Sequence, residues 1–152
     1  MPRKKKVVPS RFYVDHTSFT VKNTKGCKGL FAKVDLPANA RLPYEGKTLT
    51  TEEMKALDED DVYIMASGRK GEFLDANPAY GEPTWVAAYV NEPSKGEKAN
   101  MIAVYERKPV MQPYLVTVRP IRADEELLFH YGPGYRRIGY SVGARAPKPS
   151  WI

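Results

Sequence analysis

Prolines recur along this chain and limit the folds that it can adopt. Thirteen of its 152 residues are proline, and a proline lacks the N–H group that an internal strand or helix position needs. Between the prolines lie short stretches of strand-like composition, at residues 12–15, 19–21, 30–34, 49–50, 62–65, 72–75, 100–105, 114–119 and 127–129. We therefore predict a mainly β domain with small helices, and not a doubly wound α/β fold, which needs long helices between its strands.

Two stretches favour short helices instead. Thr50 and Glu53 fit a capping box, in which each side chain accepts a hydrogen bond from the other residue's backbone N–H. Residues 85–90 place Trp85, Ala88 and Tyr89 on one helical face. We expect a short helix at both positions.

Positive charge is concentrated at the two ends of the chain. Residues 1–11 carry five basic and no acidic side chains, and residues 133–152 carry four basic and no acidic ones; the net charge is +6, which leaves −3 for residues 12–132. A mildly acidic body favours a basic protein partner over a nucleic acid. The alternative is that this charge serves only solubility.

Charge and composition divide the chain into three parts, which are a basic arm at 1–11, a domain at 12–135 and a C-terminal segment at 136–152. The run Arg3-Lys4-Lys5-Lys6 resembles a nuclear import signal, and the alternative is a solvated arm that makes weak contacts with phosphate. The C-terminal region contains Tyr135, Tyr140 and Trp151, and linkers seldom hold so many aromatic side chains. We expect this region to pack on the domain.

Several classes of protein are disfavoured by what the sequence lacks. Cys27 is the only cysteine, so we expect no internal disulfide and no multi-cysteine zinc site. His16 and His130 have no acidic or cysteine partner at ligand spacing, so no metal site is predicted. No apolar run approaches the roughly 20 residues of a membrane-spanning helix, and none follows the basic N-terminus. We expect a protein of the nucleus or cytoplasm that is neither secreted nor membrane-bound.

Three short motifs follow one another along the domain. The first is Gly26-Cys27-Lys28-Gly29 before an apolar strand, the second is an apolar run that ends at Asn91, and the third is residues 125–132, which end in a tyrosine and a glycine. In this order, over roughly residues 18–135, they resemble the SET-domain protein lysine methyltransferases. The run Pro43-Tyr44-Glu45-Gly46 is most similar to the PR-domain branch of these proteins.

The resemblance implies both a fold and a cofactor. The fold is the β-rich SET arrangement of short strands with a pseudoknot-like C-terminal threading, in the compact free-standing form found in large DNA viruses and some microbes, where the location would be the host nucleus. The cofactor is S-adenosylmethionine. The residues that the resemblance assigns to it are Gly26, Cys27, Lys28, Gly29, Tyr63, Asn91 and Glu92. From glycine spacing alone, an ordinary hairpin turn is the simpler interpretation of residues 26–29.

The chain departs from the family pattern at two of these places. Two residues, rather than one, separate Gly26 from Gly29, and Glu92 stands where the family has a histidine after Asn91. The family histidine contributes mainly through its backbone, so the change is compatible with cofactor binding. A carboxamide such as that of Asn91 both donates and accepts hydrogen bonds, which suits the amino acid end of the cofactor.

The resemblance also implies the residues at the reacting centre, which are Tyr131, Tyr44 and Phe129. Tyr131 would help to align the methyl group with the lysine nitrogen in a narrow, dry passage. Tyr44 would line that passage, because aromatic faces attract a cationic head group. Phe129 stands where a tyrosine restricts the product to monomethyl-lysine, so phenylalanine implies a di- or trimethyl product. Without the resemblance, each of the three is more simply a structural residue.

We therefore expect an S-adenosylmethionine-dependent protein-lysine N-methyltransferase. Its substrate would be a basic protein, a histone tail above all, which enters as an added edge strand. Weak nucleic-acid contact through the basic ends is also expected, and the oligomeric state stays open, a homodimer included. The alternative is a catalytically weak SET-like module that binds chromatin or nucleic acid. The altered glycine motif and the missing histidine favour the module, whereas Asn91 and Tyr131 favour the enzyme.

Overall fold

Short strands make up most of this protein, whose computed structural model describes residues 7–57, 63–132, 135, 137 and 140–152. The strands found there are β1 (Phe12–Tyr13), β2 (Phe19–Thr24), β3 (Cys27–Ala32), β4 (Ala40–Pro43), β5 (Lys47–Thr50), β6 (Ile64–Ala66), β7 (Glu72–Asp75), β8 (Met101–Glu106) and β9 (Gln112–Thr117). The helices are α1 (Thr51–Lys55) and the 3₁₀ turns His16–Ser18, Pro78–Tyr80 and Val86–Tyr89. The predicted mainly β fold with small helices is confirmed. The basic run at 3–6 and residue 62 of one predicted strand lie outside the described residues.

The strands form three small sheets. β1, β4, β9 and β8 form the largest in that order, β2 and β3 form a hairpin, and β5, β7 and β6 form the third. Every pairing of these strands is antiparallel except that of β1 with β4. β6 and β8 therefore lie at sheet edges, where one row of backbone groups is not paired within the sheet.

Apolar side chains from different sheets meet in one core. The most deeply buried large ones, each no more than 2% exposed, are Leu30, Leu42, Met101, Leu115, Ile121 and Leu127. They come from β3, β4, β8 and β9 and from the C-terminal part of the domain. Burial of each such side chain stabilises the fold by about 1.5–3 kcal/mol relative to exposure. The small sheets are therefore held together by shared apolar burial.

The β2–β3 hairpin contains the first predicted cofactor motif. Its two-residue turn is Lys25-Gly26, where φ is 47° and 79°, as in the tight turns that match the twist of a hairpin. Gly29 lies within β3 opposite Lys22. Residues 26–29 therefore do not form one glycine loop, and the two glycines have different structural roles.

The C-terminal part of the domain is threaded between elements that precede it in the chain. Leu127 donates its N–H to the carbonyl of Leu30 in β3 (2.8 Å), and Phe129 donates its N–H to the carbonyl of Asn91 (2.9 Å). Phe129 also forms a bridge with Met101 of β8. We call residues 126–131 the threaded segment. Because its neighbours are three different elements, it forms isolated bridges instead of the continuous strand that the sequence predicts.

Local signals predict the helices better than the strands. Thr50 Oγ1 accepts a hydrogen bond from Glu53 N (3.1 Å) and Glu53 Oε1 accepts one from Thr50 N (3.2 Å), so the capping box is confirmed. The second predicted helix is the 3₁₀ turn Val86–Tyr89. β4 escapes prediction because Pro43, a residue typical of loops, occupies its last position. No helix within the described residues is long and apolar enough to cross a membrane.

Gly46, directly before β5, packs closely against the backbone of β7. A Cβ atom at this position would lie 2.8 Å from the backbone carbonyl carbon of Asp75 and 2.9 Å from its oxygen. Because backbone cannot move aside as a flexible side chain can, we expect Gly46→Ala to lower the free energy of unfolding by about 1–3 kcal/mol. Urea denaturation measures the change, with the exposed Glu45→Ala as control. A loss no larger than that of the control would contradict the close packing.

Candidate functional site

Two cavities share Tyr131 and Tyr135 as walls. The first, which we call the polar cavity, has a volume of about 350 Å³. Its other lining residues are Thr24, Lys25, Cys27, Asn91, Glu92, Ser94, Glu126 and Tyr140. The second, which we call the aromatic cavity, has a volume of about 320 Å³. Its other lining residues are Tyr44, Ile64, Met65, Ala66, Ala87, Ala88, Val90, Ala103, Tyr105, Leu115 and Phe129.

Hydrogen bonds and ring contacts fix the position of Tyr131. Its hydroxyl donates to the carbonyl of Val90 (2.7 Å), and its backbone N–H donates to Glu92 Oε1 (2.8 Å). Its ring centroid lies 5.9 Å from that of Phe129 and 4.8 Å from that of Tyr135, the latter in edge-on contact. The hydroxyl oxygen therefore has one place at the boundary of the two cavities, with its proton directed at Val90.

Burial keeps the Tyr131 phenol neutral. It raises the pKa of Tyr131 above its ordinary value, and the nearby Tyr135 and Glu92 act in the same direction. Tyr131 is therefore a hydroxyl group at neutral pH and not a phenolate. It can accept a hydrogen bond or orient a neighbour, but it is a poor general base.

Asn91 connects the hairpin to the threaded segment. Its Nδ2 donates to the carbonyl of Lys28 (3.0 Å) and lies 3.6 Å from Cys27 Sγ. The backbone carbonyl of Asn91 accepts a hydrogen bond from Phe129 N. The polar cavity is therefore closed on this side by one residue that bonds to both elements.

Among the described residues, no group of three His, Cys, Asp or Glu side chains could hold a metal ion.

Glu92 is bonded to the C-terminal part of the chain. Its carboxylate accepts from Arg137, from Tyr140 and from the backbone of Tyr131. Burial alone would raise the pKa of Glu92, but these hydrogen bonds, that of Arg137 foremost, outweigh it and hold the pKa below its ordinary value. Glu92 therefore stays ionised, and the C-terminal region packs on the domain as the sequence suggests.

The remaining predicted residues lie close to the cavities without forming their described walls. Gly26 is in the hairpin turn, and Lys28 contributes its carbonyl to Asn91. Tyr63 contributes its carbonyl to the hydroxyl of Tyr44 (2.8 Å), which faces the aromatic cavity. These contacts place the backbone carbonyls of Lys28 and Tyr63 against site residues.

Glu126 was not predicted as a site residue, and it gives the polar cavity an acidic wall. Its Oε1 is buried and has no hydrogen-bond partner among the described residues, and burial raises the pKa of this carboxyl group above its ordinary value. A Cβ on Gly29 would lie 2.7 Å from this oxygen and 3.1 Å from Asn91 Nδ2. A side chain at position 29 would therefore enter the space that the Glu126 carboxyl group and the Asn91 amide occupy. The available sequence signal is an acidic residue directly before the apolar residues 127–129 of the threaded segment.

The polar cavity suits a ligand that carries both charges. Glu126 offers a carboxyl group, and Lys25 offers an ammonium group that donates to Ser94 Oγ (2.9 Å) and forms an ion pair with Glu97 (2.5 Å) at the rim. The amino acid end of S-adenosylmethionine has an ammonium and a carboxylate group. The residues present therefore fit that end of the cofactor by charge, with Asn91 beside them.

A comparison with known families assigns most of the chain to one family. The family model for the PR domain of PR domain zinc finger protein 2 matches residues 17–141, which is most of the chain. The matched range contains every residue that lines the two cavities. No curated protein matches the chain at a significant level.

Glu126→Gln tests the buried carboxyl group whose Oε1 has no hydrogen-bond partner among the described residues. Since the folded-state pKa of Glu126 is raised, its ionised form opposes folding, and this cost falls as pH drops through that pKa. The variant should therefore melt a few degrees higher than wild type at neutral pH, with a smaller difference in acid. Thermal melts followed by circular dichroism measure this.

The neighbouring Glu125→Gln is the matched control with the opposite sign. The ion pair with Arg119 holds the pKa of Glu125 below its ordinary value, so its contribution is present at neutral pH and is lost in acid. Glu125→Gln should melt lower than wild type at neutral pH. A Glu126→Gln variant that also melts lower would show that this carboxyl group has a partner in the folded protein.

Proposed function

Since the chain belongs to the PR-domain family, whose members are SET-like, we propose that it is an S-adenosylmethionine-dependent protein-lysine N-methyltransferase. The observation that carries the proposal is the meeting of the polar and aromatic cavities at Tyr131 and Tyr135. A group transfer between two bound molecules needs sites that open separately and meet at one wall, where the reacting atoms are held in line.

The polar cavity is the proposed cofactor site. Glu126 and Lys25 would hold the amino acid end, and Asn91 would keep β3 and the threaded segment at the right separation. SET-superfamily domains generally use S-adenosylmethionine, which supplies an electrophilic methyl group on a sulfonium centre when it is bound.

The aromatic cavity is the proposed lysine channel. Its described lining residues, Tyr44 and Phe129 among them, include no charged side chain. Aromatic walls pack against the aliphatic stem of a lysine while their faces attract its cationic head. A dry channel also lowers the lysine pKa from its ordinary value of about 10.4, which favours the neutral amine that the reaction requires.

Tyr131 would orient the reacting groups without moving a proton itself. Its hydroxyl proton is bonded to Val90, so the oxygen lone pairs are left to accept from the lysine amine at the boundary of the cavities. Because its pKa is raised, Tyr131 does not act as the base. The proton that the lysine must lose therefore goes to water.

We propose a basic protein as the substrate, with histone tails as the first candidates. Residues 12–132 have a net charge of −3, and the edge strand β6 borders the aromatic cavity along its whole length. A peptide that adds to this edge would bring a lysine to the channel. The basic run at 3–6, which lies outside the described residues, supports a nuclear location and weak nucleic-acid contact.

A catalytically weak module that binds chromatin is the second candidate. Glu92 favours it, because it replaces the family histidine and both of its oxygens are bonded to other parts of the chain. PR domains are often weak or inactive as enzymes. The module would keep the peptide edge of β6 and lack turnover.

Tyr131→Phe separates the enzyme from the module. Loss of the hydroxyl should cut methyl transfer from labelled S-adenosylmethionine to core histones by about 100-fold. The cofactor affinity, measured by calorimetry, should change little, since the ring that forms the wall remains. Tyr13→Phe is the control, because its hydroxyl bonds to Glu106 and lines neither cavity. Wild-type protein that binds the cofactor but methylates no histone or lysine-rich peptide would rule out the enzyme and leave the module.

Phe129 predicts the product. Its ring lines the aromatic cavity next to Tyr131 and offers no hydroxyl group to hold a water molecule beside the target nitrogen. We expect wild-type protein to form di- or trimethyl-lysine and Phe129→Tyr to shift the product toward monomethyl-lysine. Mass spectrometry of a peptide substrate over time, with excess cofactor, measures both. A wild-type reaction that stops at monomethyl-lysine would refute this role of Phe129 alone.

A further inference from the structure

The Glu92 carboxylate gathers four hydrogen bonds from the C-terminal part of the chain. Oε1 accepts from Tyr131 N (2.8 Å) and from Arg137 Nη2 (2.5 Å), and Oε2 accepts from Arg137 Nε (2.8 Å) and from the hydroxyl of Tyr140 (2.9 Å). The Glu92 side chain is 2% exposed and that of Arg137 is 15% exposed. Removal of either partner of such a pair leaves an uncompensated buried charge. These bonds are therefore strongly interdependent.

Arg137 extends this network to the far side of Tyr131. Its Nη2 also donates to the carbonyl of Gly132 (2.9 Å), and its Nη1 donates to the carbonyl of Tyr135 (3.1 Å). The ring of Tyr135 packs edge-on against that of Tyr131. The Glu92–Arg137 ion pair therefore fixes the backbone N–H of Tyr131 and the carbonyl of Gly132 after it. It also fixes Tyr135, whose ring packs against that of Tyr131.

Backbone contacts next to Glu92 also fasten the rest of the C-terminal segment. Gly143 donates its N–H to the carbonyl of Pro93 (2.8 Å), and a Cβ there would lie 2.3 Å from the carbonyl oxygens of Ser94 and Glu97. This contact anchors the segment but does not reach Tyr131. The link between the segment and Tyr131 runs through the Glu92–Arg137 ion pair.

From these contacts we infer that Glu92 is a positioning residue, whose ion pair with Arg137 holds Tyr131 in the wall that the two cavities share. A histidine has no pair of acceptor oxygens with which to bind an arginine and a tyrosine together. Glu92 can therefore connect the C-terminal segment to the site in a way that a histidine could not. The effect on turnover rests on the proposed function, whereas the effect on Tyr131 does not.

Arg137→Gln tests the inference without removing the acceptor of the Tyr131 N–H. The ion pair is lost, while the Glu92 carboxylate remains for Tyr131 and Tyr140. Arg137→Lys keeps the charge and should recover part of any loss. Tyr140→Phe removes a single donor and serves as the milder variant if Arg137→Gln does not fold.

Glu106→Gln is the matched control. Glu106 also accepts from an arginine and a tyrosine, namely Arg41 Nη1 (3.1 Å) and the hydroxyl of Tyr13 (2.7 Å). Its side chain is 12% exposed, and it lines neither cavity. Its loss should lower the melting temperature much as the loss of the Glu92 pair does, without reaching Tyr131.

Two readouts separate positioning from general stability. We expect Arg137→Gln to raise the amide exchange rate of Tyr131 about tenfold and to lower kcat about tenfold, with the peptide KM and the affinity for S-adenosylhomocysteine nearly unchanged. Glu106→Gln should leave the Tyr131 exchange rate and kcat at wild-type values. Glu92→Gln combined with Arg137→Gln should be little worse than the stronger single variant, because both break one interaction.

Equal effects of the two variants would contradict the inference. If Arg137→Gln and Glu106→Gln change the exchange of Tyr131 and kcat to the same extent, Glu92 has only a structural role and the inference is wrong. If wild-type protein transfers no methyl group, the proposed function fails. The exchange rates then still decide whether Glu92 holds Tyr131 in place.

Discussion

Asn100 bonds to the threaded segment as a neighbouring strand would, and the site depends on this contact. Its side chain is buried; Nδ2 donates to the carbonyl of Glu126 (2.9 Å), and Oδ1 accepts from Leu128 N (2.8 Å). Its backbone N–H donates to the carbonyl of Leu128 (3.0 Å). In the interior these bonds have no water to replace them, so the loss of one leaves a buried polar group unpaired. Glu126 and Tyr131, which belong to the two cavities, keep their positions because this segment is fixed.

The two cavities have different walls because the threaded segment has different neighbours. Toward β3 and residues 91–97 it meets charged and polar groups, which suit an ionic ligand. Toward β6 and β8 it meets aromatic and aliphatic side chains, which suit an alkyl chain with a positive end. One segment of six residues therefore separates two chemical environments, and Tyr131 belongs to both.

The sequence predicts best those structural features that depend on a few neighbouring residues. The capping box of Thr50 needs only the next turn of helix, and residues of the three motifs line the two cavities. β4 and the bridges of the threaded segment depend on neighbours far along the chain, so local composition does not reveal them. The pairing of Glu92 with Arg137 spans 45 positions, and the unpartnered Oε1 of Glu126 becomes visible only when its surroundings are known. Such long-range polar contacts cannot be predicted from local composition.

The wide separation of the cavity walls along the chain has a consequence for biosynthesis. The polar cavity takes its first wall residue at Thr24 and its last at Tyr140, so it cannot exist on a nascent chain until residue 140 has left the ribosome. Until then the hairpin and β8 have an open gap where the threaded segment will lie, with apolar residues such as Leu30 and Met101 uncovered. Contacts between distant residues also form slowly. The chain is therefore exposed to aggregation, and unable to bind a ligand in this cavity, until the residues up to 140 have emerged.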